Sequence, residues 1–343
     1  MTVVQRVDES NAAGSWLCGH HGLVDPAEQL LDAWWFAECV IERSSLRHIG
    51  TNEDVKHLVG ILNDLAAQTW YKMSVGPSRG LAFGEESLTD HNLFELDRRG
   101  APIEVYKFDK TEEPYNGADF EWWIGSDNTR WLGLRFQAKR LDDDGIYAQL
   151  GHRVRGRRQY ELLLEQAQRD NIWAFYCFYN GWHGSWPEGV PNAGCRNRSK
   201  PAVPVPHGNE QKGCVHAYLE DFGCAIAPAS AVARRHQGEP RNGRRALEEH
   251  LRYSRPWSHL FGDRKKDLGL PSQIVRELPA QLSDWARTAS DVEGDGRFES
   301  GLPEGQGLHQ ELPTWLQARR AGAMSREGYR PAVAVVFNVS WRS

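Results

Sequence analysis

Residues 118 to 140, ADFEWWIGSDNTRWLGLRFQAKR, consist of two extended segments joined by the turn-rich linker SDNT, and this reading decides the fold. Ser, Asp, Asn and Thr clustered between two runs of aromatic and branched residues are the composition of a hairpin. Side chains two apart in a strand share a face. Asp119 and Glu121 therefore point one way on the first strand, and Gln137 and Lys139 share a face of the second. Registered across SDNT, one face of two neighbouring strands collects two carboxylates, an amide and an amine.

Four polar groups on one sheet face are costly to bury without partners or a task. Two carboxylates suit a hard divalent cation, and the Gln137 amide oxygen can add a neutral ligand. Lys139 would stand beside an attacking water and offset the charge that develops on a phosphate. That combination describes a site for phosphodiester hydrolysis. The competing arrangement is a hairpin edge in which Lys139 pairs with Glu121 and Gln137 faces water.

Working outward, PSRG at 77–80 punctuates the chain and EESLTDHNLFELDRR, 85–99, has the pattern of a polar helix. APIEVYKF, 101–108, is a further extended segment. After the hairpin, GRRQYELLLEQAQRD, 156–170, carries Tyr160, Leu163, Leu164 and Ala167 at helical spacing, and IWAFYCFYN, 172–180, reads as a buried strand. The order is helix, strand, strand, strand, helix, strand, that of an α/β protein.

Three regions follow from composition. Leu30, Leu31, Trp34, Trp35, Leu58, Leu62 and Leu65 predict helices with an apolar face, an accessory segment over residues 1–76. A core occupies 77–190. Residues 191–343 form a C-terminal helical region, with helices expected at 228–237, 244–253 and 273–288. Its final apolar run, PAVAVVFNVSW at 331–341, is expected to join the core sheet as a strand.

With 343 residues, 25% charged and 40% hydrophobic, the composition excludes wholesale disorder and a fibrous repeat. A net charge of -5 argues against coating nucleic acid along the whole surface. It leaves room for local basic grooves such as HRVRGRR, 152–158, and ARRHQGEPRNGRR, 233–245. The amino terminus lacks the basic-then-apolar pattern of a secretory signal. LLDAWWFAECVIE, 30–42, is broken by Asp32 and Glu38 and is too short to span a bilayer. Six cysteines without a CxxC pair suit reduced thiols in a cytoplasm.

Residues Glu85 to Asn180 resemble the PD-(D/E)xK nuclease superfamily, in the restriction-endonuclease-like, Mrr-like group whose last motif is Q-x-K. They also resemble an uncharacterised bacterial family with a G-A-D-x-E-W-W core followed by Q-A-K-R. The resemblance implies a small mixed sheet flanked by helices and Mg²⁺-dependent (or Mn²⁺-dependent) cleavage of nucleic acid, with DNA favoured. Carried over by residue, the central aspartate falls on Asp119, the proximal acid-or-amide on Gln137 and the lysine on Lys139. The Ala138 carbonyl falls where a further metal ligand is expected. The helix glutamate matches Glu86 best, with Glu85 and Asp90 competing. Glu121 has no fixed counterpart and is assigned as a second metal ligand or as the partner of Lys139. Q-x-K in place of E-x-K removes one negative charge from the metal site.

Arg153, Arg155, Arg157 and Arg158 are the residues expected to meet phosphates. Cutting both strands of a duplex calls for two sites, which argues for a homodimer. The superfamily's roles in restriction and antiviral defence argue for a partner protein from such a system. A different class of function is also compatible with the sequence: a non-catalytic nucleic-acid-binding or scaffold protein that keeps the nuclease fold.

Other constellations are weaker. Cys195, Cys214, His216 and Cys224 lack the spacing of two close pairs that a zinc site uses, and Cys224 is expected in a packed turn. Asp291, Glu293, Asp295 and Gly296 imitate the start of a calcium loop, but Leu302 stands where the closing glutamate is required. His183 lies in a Gly/Trp loop without a companion motif. Trp122 and Trp123 must face opposite sides of their strand, so at most one packs on the side away from the site.

Overall fold

Helix α1 (Asn52–Val75) begins at a capping box: the Thr51 hydroxyl accepts the Asp54 amide at 3.1 Å and the Asp54 carboxylate accepts the Thr51 amide at 2.8 Å. Val55, Leu58, Leu62, Leu65 and Ala66 on it are fully buried. Full burial of each leucine contributes about 1.5–3 kcal/mol relative to exposure. In this computed structural model residues 48–107, 118–182, 219–238, 245–262, 271–290, 307–323 and 331–339 are described. They belong to one compact unit, Arg47–Ser343.

Helix α2 (Glu85–Arg98) leads into β1 (Ile103–Lys107), then β2 (Phe120–Ser126) and β3 (Arg130–Arg140). A small hairpin, β4 (Arg153–Val154) and β5 (Arg157–Arg158), precedes α3 (Gln159–Arg169) and β6 (Trp173–Tyr179). The C-terminal elements are β7 (Cys224–Pro228), α4 (Ala229–Gly238), α5 (Leu247–Leu251), β8 (Arg255–Pro256), α6 (Pro271–Ser290), β9 (Leu308–His309), α7 (Thr314–Arg320) and β10 (Val333–Asn338).

The SDNT linker forms the expected hairpin. The Thr129 amide donates to Ser126 O at 3.0 Å and Arg130 takes φ 73°, a short loop closed by a left-handed residue. The register runs from Ser126 opposite Arg130 to Phe120 opposite Phe136. The sheet order is β1-β10-β2-β3-β6-β7-β8, with β9 paired to part of β3. β3 runs parallel to β6 and antiparallel to β2, so the fold is α/β with a mixed sheet.

Two placements depart from the sequence reading. The final strand joins the sheet as expected, but at an internal position: β10 lies between β1 and β2, parallel to β2. Its unbroken apolar run suits a strand covered on both faces. Second, elements on either side of residues 76 and 190 pack on one another. Trp257 Nε1 donates to Leu62 O at 2.8 Å, and a Cβ on Gly223 would lie 1.9 Å from Ala66 O, so α1 packs directly on the start of β7. Helix α1 therefore packs into the core, while Leu30, Leu31, Trp34 and Trp35 of the expected accessory segment lie outside the described residues, and the C-terminal region supplies sheet strands as well as helices.

Trp122 and Trp123 face opposite ways. Trp122 packs with Phe136, Trp257, Phe261 and Phe337, while Trp123 joins Trp131, Ile172, Leu316 and Val336 in a second cluster. Among the described residues no helix is long and apolar enough to cross a membrane.

Candidate active site

Asp119 stands just before β2, its amide donating to Phe136 O at 2.9 Å, which continues the hairpin ladder by one residue and sets Asp119 beside Gln137. The Asp119 Oδ2 atom accepts the Ala138 amide at 2.7 Å and also accepts Gln137 Nε2. Gln137 Nε2 donates in addition to Ala138 O at 3.1 Å. Three of the residues singled out from the sequence thus meet at one point. Gln137 and Lys139 are 2% and 4% exposed, so both polar groups are held away from bulk water.

Lys139 Nζ lies 3.5 Å from Glu85 Oε2, and Glu85 Oε1 accepts the Arg140 amide at 3.2 Å. Glu85 is the first residue of α2, where a carboxylate is favoured by the helix dipole. The glutamate brought to the lysine is therefore Glu85, whereas Glu86 is exposed and Asp90 pairs with Lys107. A helix that enters beside a strand end presents its first residue there, and α-helical geometry turns the next side chain away.

Glu121 has other partners than those expected. Arg135 Nε donates to its Oε1 at 2.8 Å and Trp123 Nε1 donates to its Oε2 at 3.0 Å. Arg135 also reaches Asp170 Oδ2 at 2.8 Å. The carboxylate's two oxygens are thus occupied by a buried cation and an indole, and the ion pair of Lys139 is with Glu85. Arg135 was missed in the sequence, although it lies two residues before Gln137 on the same face and opposite Glu121 in register.

Two further polar groups close in on Gln137. Gln159, at the start of α3, donates from Nε2 to Gln137 Oε1 at 2.6 Å, while its own Oε1 is buried without a hydrogen-bond partner among the described residues. Tyr176 sits opposite Gln137 on β6, fully buried, and among the described residues its hydroxyl also has none. Burial, followed by the neighbouring Tyr160, Asp119 and Glu85, holds the Tyr176 phenol well above its usual range. It stays protonated as a potential donor facing the site.

The Arg-rich approach to α3 is a tight hairpin whose turn residues Arg155 and Gly156 both take positive φ. Arg153, Arg155 and Arg157 are exposed on it, Arg157 pairs with Glu165, and Arg158 lies over the Tyr160 ring at 5.9 Å. A cavity of about 540 Å³ opens beside the end of β3, lined by Lys72, Phe83, Arg140 and Asp142 to Asp144 among others. The basic hairpin leads directly into the helix that carries Gln159.

Among the described residues no three His, Cys, Asp or Glu side chains cluster as a metal site. His183, Cys195, Cys214, His216 and the 291–302 segment lie outside the described residues. Cys224 is buried in strand β7 rather than in a turn; burial pushes its thiol up to about 12, and Cys177 is likewise buried and free.

No curated protein and no solved structure matches the chain. A family model described as "Family of unknown function (DUF6615)" matches residues 58–340, from within α1 to beyond β10, and so encloses every element that builds the site. The chain belongs to this family.

Proposed function

We propose that this protein is a metal-dependent nuclease that hydrolyses phosphodiester bonds, with DNA as the favoured substrate. The observation that carries the reading is the meeting of Asp119, just before β2, with Gln137 and Ala138 on β3, next to Lys139 of the same strand and its partner Glu85 on α2. The fold order around it, helix then hairpin then helix and parallel strand, is also that of the PD-(D/E)xK superfamily.

The donor set fits a hard divalent cation. Asp119 Oδ2 and Ala138 O lie around the Gln137 amide nitrogen, and with the amide oxygen in the nitrogen's place the three oxygens would be a mixed donor set that suits Mg²⁺ or Mn²⁺. Such an ion supplies Lewis-acid polarisation of a phosphodiester. Lys139, anchored by Glu85, orients the attacking water and offsets negative charge on the phosphate. Water's oxygen bonds to phosphorus as the bond to the leaving sugar oxygen breaks, and that oxygen takes a proton. Arg153, Arg155, Arg157 and Arg158 hold the backbone of the nucleic acid.

Glu121 is left out of this ligand set because Arg135 and Trp123 already hold its two oxygens. The setting we infer is bacterial restriction or anti-phage defence in the cytoplasm, with two copies engaging a duplex and a defence-system protein as partner.

The test is incubation of the purified chain with plasmid, single-stranded DNA and RNA, with Mg²⁺ or Mn²⁺ and with chelator, beside Lys139→Ala. Metal-dependent cleavage lost in the variant is expected. One observation favours a second reading, a nucleic-acid-binding scaffold: both ends of the Gln137 amide are held by protein hydrogen bonds, the nitrogen by Asp119 and the oxygen by Gln159. Equal binding of nucleic acid by wild type and variant, with cleavage by neither under any condition, would establish that reading instead.

A further inference from the structure

The Gln137 amide is the centre of the polar contacts. Its nitrogen donates to both Asp119 Oδ2 and Ala138 O, and its oxygen accepts from Gln159 Nε2. A group of partial positive charge therefore lies between two oxygens, the place a cation would occupy. Rotation of a terminal amide exchanges its nitrogen and oxygen almost in place. After that exchange Gln137 Oε1 would face the same two oxygens, an arrangement that repels without a cation and supplies three hard donors with one.

The exchange has a consequence for Gln159. Gln137 Nε2 would then point at Gln159 Nε2, donor against donor. Gln159 Oε1, buried and without a hydrogen-bond partner among the described residues, is the acceptor that resolves the conflict when the Gln159 amide turns as well.

We propose that Gln159 is a positioning residue for the metal centre: the amides of Gln137 and Gln159 turn together when a divalent cation binds, and Gln159 then holds the Gln137 oxygen on the ion. This rests on the reading of the site as a nuclease's metal centre. Coordination through Oε1 polarises the Gln137 N–H groups, so an acceptor at 159 matters more with the cation than without it.

The test is calorimetric titration of the full chain with Mn²⁺ and with Mg²⁺ in the absence of nucleic acid, comparing wild type, Gln159→Met, Gln159→Glu and Asp119→Asn. Methionine is uncharged and of similar length but accepts poorly, and should weaken Mn²⁺ binding about tenfold. Glutamate, which can only accept, should restore at least wild-type affinity. Loss of binding in Asp119→Asn with equal or tighter binding in Gln159→Met overturns the role of Gln159 and leaves the metal centre standing, as does failure of glutamate to restore it. No binding by wild type overturns both. If the methionine variant does not fold, side-chain amide resonances of isotope-labelled glutamines in the wild type decide: Mg²⁺ should shift both 137 and 159, and a shift of 137 alone overturns the coupled turn.

Discussion

Lys139 Nζ stands 3.5 Å from Glu85 Oε2, and the same carboxylate caps the backbone amide of Arg140 at 3.2 Å. One acidic residue at the first position of a helix thus fixes both the lysine and the strand that carries it. Glu85→Gln should lower cleavage by roughly 10²-fold, comparable with removal of one oriented electrostatic group, and Lys139→Ala by at least as much. Glu86→Gln should leave the rate within about twofold of wild type, the level expected of an exposed side chain outside the reacting groups. Rates measured on one labelled duplex would decide; a large effect at Glu86 and none at Glu85 would reverse the assignment.

Glu121 and Arg135 form an ion pair in which both side chains are almost fully buried, 1% and 2% exposed. Removing Arg135 leaves the buried Glu121 carboxylate without its cation, at a cost of about 3–5 kcal/mol. Arg135→Met should lower the unfolding free energy by this order in urea titrations, and Glu121→Gln by less, because Arg135 keeps Asp170 as a partner. The double variant should lose less than the two combined. Unchanged stability with cleavage abolished in Glu121→Gln would return Glu121 to the ligand set.

The Arg hairpin before α3 is expected to hold phosphates without reading sequence. Replacing Arg153, Arg155 and Arg157 together with alanine should weaken binding evenly across unrelated duplexes. Each lost phosphate contact should reduce the slope of log K against log salt by about 0.9. Fluorescence anisotropy at several salt concentrations, on a Lys139→Ala background, measures this. An unaltered slope would place the nucleic acid elsewhere.

Arg130 closes the central hairpin with φ 73°, a conformation that costs a residue with a side chain roughly 1–2 kcal/mol. Arg130→Gly relieves that strain but widens the unfolded ensemble, so a net gain of about 0.5–1 kcal/mol is expected. Chemical denaturation reads it directly. Destabilisation would mean that the loop does not take this form.

Glu95 makes the stability of the fold depend on pH. Hydrogen bonds from Arg98 above all, then Arg99, lower its carboxyl from 4.5 to about 2. Because the folded value lies below the unfolded one, the contribution is complete above pH 4.5 and disappears as the pH falls toward 2. Wild type should therefore lose more thermal stability than Glu95→Gln between pH 5 and pH 3, and parallel curves would count against it.

Much of the core was legible because its signals are local. Strand alternation and the SDNT turn put Asp119, Glu121, Gln137 and Lys139 on one face of two neighbouring strands, and β2 and β3 do pair across that turn, with Asp119 hydrogen-bonded to Gln137. Helix α2 and strand β6 fall within a residue or two of their expected bounds, since apolar spacing and Gly/Pro punctuation act over one element at a time. β7 was overlooked as a turn: CAIAP is five buried residues without the alternation that marks a half-exposed strand.

The sequence by itself determined the hairpin, its polar face and the α/β class, because residue periodicity and turn chemistry need no distant partner. Tertiary structure alone decided that β10 enters between β1 and β2, that Glu85 rather than Glu86 meets Lys139, and that Glu121 belongs to Arg135 and Trp123. Strand insertion, helix entry angle and the sharing of charges on a buried face depend on contacts far apart in the chain, which residue spacing does not encode.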